Sequence, residues 1–231
     1  MKTLRFIGMA VVAIIMSVNF VACSDDDDDH TGDKRLVSIS WENKQEGYSD
    51  IEESKYEYDA QGRIIKDIYT DSDGGYEVTN YTYGDSKITA TTSYGTETYV
   101  LNKGVVVTCT RTSQGSVSRR TAYEYDNENR LKFIREAGED EQEVIWENDN
   151  IVEIEGSTYT YTDIPVSKGE YIGYHNIDRV LYYQGYFGKC SANLIKTETR
   201  YGETETFTYE IEDDYITKIT SNFCTMKLTW Q

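Results

Sequence analysis

Polar and hydrophobic residues alternate along most of the chain beyond residue 35. Tyr56 and Tyr58 share one face while Glu57 points to the other, and Leu131 and Phe133 repeat the same spacing. A period of two is the signature of a β-strand, and the Tyr, Thr, Val and Ile residues that dominate these stretches favour strands. The pattern predicts an all-β fold with mostly antiparallel pairing.

The strands come in repeated units. The segment 56–64, Tyr-Glu-Tyr-Asp-Ala-Gln-Gly-Arg-Ile, has a close copy at 123–131, Tyr-Glu-Tyr-Asp-Asn-Glu-Asn-Arg-Leu. In each unit the Asp can accept backbone hydrogen bonds that open a turn, and Gly62 or Asn129 can adopt the positive φ that closes it. Each unit is therefore predicted to be a β-hairpin. Weaker copies begin at Tyr81, Tyr99, Val144, Tyr159 and Phe207.

These repeats predict one β domain over residues 36–231, built as a large curved antiparallel sheet or open barrel of about twelve or more strands. One segment, 165–194, breaks the pattern and holds the only proline of the chain. Its apolar spacing predicts a short crossover helix over 177–184, with Asn176 as a possible cap and Gly185 as the stop.

The first residues have the features of a targeting signal. A basic start, an apolar run and small residues ending at residue 22 have the order of a signal peptide, followed at once by Cys23. This order resembles the bacterial lipoprotein box. The resemblance implies removal of residues 1–22 and lipid attachment at Cys23. An ordinary secretory signal with an incidental cysteine is the alternative.

An acidic tether is predicted over residues 23–35. Adjacent carboxylates repel one another and stay solvated. Serine followed by acidic residues also resembles the surface-export signal of Bacteroidetes lipoproteins. The resemblance implies an outer-membrane protein, lipid-anchored and facing outward, and a position facing the periplasm is the alternative. The residues of this export signal are Ser24, Asp25, Asp26, Asp27, Asp28 and Asp29.

Composition excludes several functions. The formal net charge of -18 argues against nucleic acid as a partner, because phosphates require a basic surface. The two histidines, His30 and His175, fit no catalytic or metal-ligand motif, and phosphate-loop and nucleophile-elbow motifs do not occur. We therefore predict no enzyme activity, no cofactor and no metal site.

The cysteines other than Cys23 are Cys109, Cys190 and Cys224, so at most one bridge can form among them. Cys109 lies in an alternating strand and is predicted to be a small buried hydrophobic residue. Cys190 with Cys224 is the better candidate for a bridge, and free thiols are the alternative.

The aromatic-x-aromatic-Asp units resemble the YD repeats of bacterial surface and toxin shells. Residues 36–231 resemble more closely an uncharacterised family of Bacteroidetes lipoproteins described as having a porin-like fold. The shared features are the repeated strands, Tyr186-Phe-Gly-Lys189 before Asn193-Leu194, and Phe207-Thr-Tyr209 before the strand at 215–219. Ile211-Glu212 stands where the family has an Asp at the last turn. The resemblance implies fold and location but no mechanism.

The predicted function is non-catalytic binding at the cell surface, with a glycan as the leading ligand. Aromatic rings can stack on the apolar faces of sugars, and Trp41, Trp146 and Trp230 are the predicted ligand contacts. The opposing interpretation is that these aromatics belong to the core. An accessory subunit of an outer-membrane protein complex is the second hypothesis, and a glycan-processing enzyme is the third.

Overall fold

The computed structural model describes residues 34–44, 50–166 and 177–231. The predicted signal peptide, Cys23 and the acidic export signal lie outside these residues, as do His30 and His175. Those predictions concern parts of the chain of which the structure gives no description.

The described residues form eighteen β-strands and one α-helix. The helix is α1 (Arg179–Tyr183). The strands are β1 (Leu36–Asn43), β2 (Ile51–Tyr58), β3 (Ile64–Asp71), β4 (Tyr76–Tyr83), β5 (Lys87–Thr91), β6 (Thr96–Asn102), β7 (Val105–Ser113), β8 (Ser116–Tyr125), β9 (Leu131–Glu136), β10 (Gln142–Glu143), β11 (Ile145–Glu147), β12 (Asn150–Ile154), β13 (Ser157–Pro165), β14 (Asn193–Arg200), β15 (Glu203–Thr206), β16 (Thr208–Glu212), β17 (Tyr215–Thr220) and β18 (Cys224–Trp230).

Strand pairing gives two sheets, and every pair is antiparallel. The large sheet has thirteen strands in the described residues, in the order β10-β9-β8-β7-β6-β5-β4-β3-β2-β1-β18-β17-β16. The small sheet has five, in the order β11-β12-β13-β14-β15. Most neighbours are consecutive hairpins, as the repeats predict. The all-β prediction and the large open antiparallel sheet are confirmed, and the strand pairing of the described residues forms no closed barrel.

The two sheets meet at two corners, where one continuous segment passes from one sheet to the other. Val144, between β10 and β11, donates its N–H to the carbonyl of Lys132 at 2.8 Å. Phe207, between β15 and β16, donates to the carbonyl of Lys196 at 2.9 Å. Strands that bend in this way let two packed sheets share their edges. Both corner residues are buried, so the core lies between the sheets.

The predicted hairpin turns form in the same way in both close copies. Asp59 accepts hydrogen bonds from the N–H groups of Gln61 and Arg63, each at 2.9 Å, and the Arg63 side chain donates to its second oxygen at 2.7 Å. Asp126 makes the same three bonds with Glu128 and Arg130. Gly62 has φ of 81° and Asn129 has φ of 63°. The sequence interpretation of these turns is confirmed.

A second repeated interaction follows the turns around the domain. In each of several units the later aromatic residue donates its ring O–H or N–H to a backbone carbonyl near the start of another strand. Seven such bonds occur in the described residues, and every accepting residue is at most 2% exposed. We call these seven residues the aromatic belt. They are Tyr58, Tyr83, Tyr125, Trp146, Tyr161, Tyr209 and Trp230, which donate to Leu36, Ile64, Val106, Leu131, Ile151, Ile195 and Ile216 respectively.

Four of the seven belt residues lie beside irregularities in the strand pairing. The register shifts beside Tyr58, Tyr125, Trp146 and Tyr161. A register shift of this kind, a β-bulge, interrupts the ladder of hydrogen bonds and turns a strand more sharply. Because a buried carbonyl needs a partner, the aromatic tips supply bonds where the ladder is irregular.

The predicted short helix is confirmed, although it is shorter than expected and lies in the connection between the neighbouring antiparallel strands β13 and β14, which is not a crossover. Its cap is Asp178, whose side chain accepts from the Leu181 N–H at 2.8 Å, instead of Asn176, which lies outside the described residues. Gly185 follows the helix with φ of 78°, as predicted. No helix of the described ranges has both the length and the apolar character needed to cross a membrane.

The segment after the helix closes one end of the core against the hairpin turns. The Val106 N–H donates to the backbone carbonyl of Tyr186 at 2.8 Å, and the Lys189 N–H donates to the backbone carbonyl of Asn129 at 2.9 Å. The Phe187 ring meets the ring of Tyr123 edge-on at 5.1 Å. Gly188 has φ of 83°, and a Cβ there would lie 2.3 Å from the Asn129 oxygen, so only glycine fits.

One cysteine prediction is wrong. Cys224 is a free cysteine, as is Cys109, so Cys190 and Cys224 are not bridged. Cys224 pairs with Asn43 on β1, and its sulfur lies 3.6 Å from the Ser221 hydroxyl, so it belongs to the packing of the β17–β18 turn. Cys109 is partly buried on β7, close to the position that its alternating strand predicts.

We expect the belt to contribute measurably to stability. Tyr58→Phe keeps the ring but removes the 2.6 Å bond to the buried Leu36 carbonyl, and it should lower the free energy of unfolding by about 1–3 kcal/mol. Tyr94→Phe is the matched control, because Tyr94 is 74% exposed and outside the belt. Urea unfolding measures both, and equal stabilities for the two variants would contradict a structural role for the belt.

Candidate functional site

The inner face of the large sheet changes character along its strands. Near the hairpin turns it is apolar, with Ile64 and Ile88 fully buried. Farther along the same face, β6 places Glu97 two residues from the buried Tyr99. Glu97 pairs across the sheet with Arg111, which pairs in turn with Arg119. The alternation that buries the tyrosines therefore also places a row of partly exposed charged residues on the same face of the sheet.

These charges line a cavity of about 290 Å³ beside the start of α1, which we call the α1 pocket. Its wall combines carboxylates, guanidinium groups and hydroxyls with two tyrosine rings. Strands β6, β7 and β8 supply most of the lining, and the residues just before α1 supply the rest. Its polar lining residues include Glu97, Tyr99, Arg111, Arg119, Thr121 and Asp178.

Asp178 is the centre of the hydrogen bonding in this pocket. While one oxygen caps α1, the other accepts from the hydroxyls of Tyr99 at 3.2 Å and Tyr81 at 3.3 Å. The Tyr99 hydroxyl is also within hydrogen-bonding distance of Glu97, so the two carboxylates share its single proton. Burial raises the pKa of Asp178 to about 6. This carboxyl group therefore changes charge within the physiological range.

The two arginines of the pocket are each paired. Arg111 bonds to Glu97, and Arg119 bonds to Glu136. Each guanidinium group thus has its charge balanced by a neighbouring carboxylate while part of it lines the cavity. Burial raises the pKa of the Cys109 thiol, which also lines the pocket, to about 12, so the thiol stays protonated at neutral pH and is a poor nucleophile.

A second cavity, of about 300 Å³, is also lined by a residue of the α1 start, and we call it the Trp41 pocket. Its lining includes Trp41, Asn43, Glu52, Asp50 and Arg179. The Arg179 guanidinium lies 5.1 Å from the centre of the Trp41 ring, within the range of a cation–π contact. Since Asp178 and Arg179 are consecutive, each pocket receives one residue of the same turn.

Asp67 on β3 adds a further inward carboxyl group. It pairs with Tyr56 on one side and Thr79 on the other, and one of its oxygens is buried without a hydrogen-bond partner. Burial raises the pKa of Asp67 to about 6. A charged group in this position lowers stability at neutral pH, unlike the packed apolar residues nearer the turns.

The three predicted tryptophans have different surroundings. Trp41 lines a pocket with polar neighbours. The indole N–H groups of Trp146 and Trp230 are both held by backbone carbonyls in the belt, at 2.7 and 2.8 Å. Trp230 also contacts the Tyr215 ring, with 4.9 Å between ring centres. The structure therefore does not bring the three residues together, and Trp41 is the one placed at a cavity.

Sequence reasoning missed Glu97, Tyr99, Arg111 and Asp178. A signal for three of them was present, because Glu97 and Arg111 stand two residues from the inward Tyr99 and Cys109 and must share their face. Asp178 gave no such signal, since its partners lie on distant strands. Among the described residues, no group of three or more His, Cys, Asp or Glu side chains is placed to hold a metal ion.

The fold and its cavities define a class: a large antiparallel β domain with one short helix in its described residues and with polar pockets between the start of that helix and the large sheet. Residues 56–223 match the family described as a domain of unknown function (DUF4595) with porin-like fold, and the chain belongs to this family. This confirms the resemblance found in the sequence.

Two solved structures have a similar fold. A porin-like protein from Bacteroides uniformis ATCC 8492 aligns with a TM-score of 0.63 at 18% identity, over 85% of this chain and 96% of that one. A porin-like protein from Bacteroides vulgatus ATCC 8482 aligns with a TM-score of 0.60 at 15% identity, over 86% and 99%. No curated protein matches the chain. At these identities the likeness concerns the fold alone.

The raised pKa of Asp67 predicts an unusual pH dependence. A carboxyl group with a folded-state pKa of about 6 stabilises the fold most at low pH, and that contribution is lost as pH rises from about 4 through 6. Asp67→Asn removes the charge, so its stability relative to the native chain should increase with pH, by up to about 3 kcal/mol between pH 4 and 7.5.

Asp59→Asn is the matched control, and its stability relative to the native chain should change with pH in the opposite direction. Partial burial opposes ionisation of Asp59, but the hydrogen bonds from Arg63 outweigh it and lower the pKa of Asp59. This variant should therefore lose stability relative to the native chain as pH rises. Denaturant unfolding at several pH values measures both slopes. A flat or negative slope for Asp67→Asn would contradict the assignment.

Proposed function

We propose that this protein is a lipid-anchored protein of the outer-membrane surface whose β domain binds glycan without catalysing its conversion. The observation that carries the binding proposal is the Trp41 pocket, an aromatic ring at a cavity with acidic, amide and guanidinium neighbours. The anchor and the outward location rest on Cys23, Ser24 and Asp25 to Asp29 in the sequence.

The chemistry of the Trp41 pocket suits a sugar ring. The C–H face of a pyranose can lie against an indole, while its hydroxyl groups need both donors and acceptors. Asp50, Glu52 and Asn43 supply acceptors, and Asn43 and Arg179 supply donors. A cavity of about 300 Å³ is at the small end of ligand sites, which fits one sugar unit of a longer chain.

The overall charge narrows the class of glycan. A chain with a formal net charge of -18 repels polyanions at long range. Asp50 and Glu52 in the pocket act in the same direction. We therefore expect neutral polysaccharides to bind in preference to those that carry uronic acid or sulfate groups.

A second candidate function is an accessory subunit of an outer-membrane protein complex. Its support is a set of exposed aromatic side chains at strand ends of the large sheet. Tyr76 begins β4 and is 68% exposed, and Tyr94 precedes β6 and is 74% exposed. Tyrosines of this kind are frequent in protein interfaces.

Binding can be tested at Trp41. A neutral glucan, a mannan, a xylan and the acidic polymer polygalacturonate should be compared by affinity electrophoresis with the purified domain. We expect binding to at least one neutral polymer and weaker or no binding to polygalacturonate. Trp41→Ala should lower the affinity for the neutral polymer about tenfold or more.

The controls separate binding from folding. Glu52→Gln alters the pocket without removing its aromatic ring and should also weaken binding, whereas Tyr94→Ala, outside the pocket, should bind normally. Circular dichroism and thermal melting show whether each variant is folded. Unchanged affinity in folded Trp41→Ala would refute the assigned site. Failure of every polymer, with capture of one stable outer-membrane protein, would favour the accessory-subunit function, and release of reducing sugar would favour the enzyme.

The anchor has its own test. In the native host, Cys23→Ala should move the full-length protein from the membrane to the soluble fraction, because the lipid attachment is lost. Replacing Asp25 to Asp29 by Asn should leave it membrane-bound but protected from protease added to intact cells. Full protease accessibility of the second variant would contradict the export signal, and membrane retention of the first would contradict lipidation.

A further inference from the structure

The α1 pocket is separate from the Trp41 pocket, and the proposed function does not use it. The two share no lining residue. The α1 pocket also differs in chemistry, because its charges come mainly as ready-made pairs of opposite sign. Arg111 with Glu97 is one pair, and Arg119 with Glu136 is the other.

We propose that the α1 pocket is a second binding site, which takes a single neutral sugar unit at the end of a glycan chain. This proposal rests on the proposed function for the class of ligand, and it adds recognition of a chain end. A cavity of about 290 Å³ that lies between the helix and the inner face of the sheet has room for one ring.

The paired charges favour a neutral ligand with several hydroxyl groups. A free anion would have to compete with Glu97 or Glu136 for its guanidinium group, and a free cation would lie near two arginines. A hydroxyl group can instead donate to a carboxylate and accept from the guanidinium group beside it, which keeps both ion pairs intact. Neighbouring hydroxyls on a sugar repeat this pattern.

Tyr99 organises the acceptors of the pocket. Its hydroxyl bonds to Glu97 and lies 3.2 Å from Asp178, so it holds two carboxylates on the same side of the cavity. Thr121, which pairs with Cys109 on the adjacent strand, adds a hydroxyl that both donates and accepts. The rings of Tyr99 and Tyr123 complete the lining with apolar surface.

The two pockets receive consecutive residues from the start of α1. Asp178 lines the α1 pocket and the next residue, Arg179, lines the Trp41 pocket. Tyr99 lies on β6 and Trp41 on β1, about 24 Å apart along the sheet, so a glycan whose end is seated in the α1 pocket would reach Trp41 only with units several positions farther along its chain. This arrangement assigns end recognition to one pocket and contact with the chain to the other.

The experiment uses free monosaccharides as probes of the folded domain. D-Glucose, D-galactose, D-mannose, D-xylose and N-acetyl-D-glucosamine are titrated by ligand-observed NMR, with D-glucuronate and D-glucosamine as charged counterparts. We expect at least one neutral sugar to bind, and both charged sugars to bind at least about tenfold more weakly.

Variants assign the site. Tyr99→Phe and Thr121→Val each keep the size of the side chain and remove its hydroxyl group, and each should weaken monosaccharide binding by about tenfold. Trp41→Ala should keep monosaccharide binding while losing affinity for the polymer. Tyr94→Ala should change neither. Two pocket variants are used so that a folding defect in one leaves the other informative.

The outcomes distinguish the two proposals. Polymer binding that depends on Trp41, with no monosaccharide bound, overturns the end-recognition site and leaves the proposed function standing. Monosaccharide binding that survives both Tyr99→Phe and Thr121→Val also overturns the site. Tighter binding of glucuronate or glucosamine than of any neutral sugar overturns the ligand class. Monosaccharide binding lost in both pocket variants, without polymer binding, supports the pocket and contradicts the role of Trp41.

Discussion

The hydrogen bond from an aromatic side chain to a buried backbone carbonyl is the constraint on which the rest of this domain depends. A large sheet must bend to enclose a core, and bending by β-bulges interrupts its ladder. At Tyr58, Tyr125 and Trp146 the register shifts beside the aromatic residue whose polar tip then binds a carbonyl on another strand. The same side chain therefore fills the core and compensates the bend. A phenylalanine could fill the space but not satisfy the carbonyl.

Because the belt residues lie near the hairpin turns, the interior has an apolar part at that end and a polar part farther along the strands. The belt and the segment around Phe187 occupy the end of the core near the hairpin turns, where Ile64 and Leu131 are buried. Farther along the inward face, no repeated aromatic is required, and positions such as Glu97 and Arg111 carry charge. The helix lies over this part, and its cap Asp178 joins the polar network. The pockets arise where the repeated units no longer place large aromatic side chains on the inner face.

The repeat made most of the fold predictable from sequence. Tyr56, Tyr58, Asp59 and Gly62 specify strand, face and turn within a few residues, so local physics was sufficient. The site was less predictable because its contacts are distant: Asp178 meets Tyr99 and Tyr81 across 79 and 97 residues. The wrong pairing of Cys190 with Cys224 has the same origin, since spacing along the chain says nothing about which strands become neighbours.

The charged interior is a reason to look for function in these pockets. Burying Asp67 and Asp178 raises the pKa of each to about 6, which means that each ionised group destabilises the fold at neutral pH. Ion pairs that are partly exposed to solvent contribute little to stability. A sheet that places apolar residues so regularly near its turns could have placed them here as well. Arg111 is 55% exposed and Arg119 is 29% exposed, so the pairs Glu97 with Arg111 and Glu136 with Arg119 contribute little to stability, whereas binding of a hydroxyl-rich ligand would use both members of each pair.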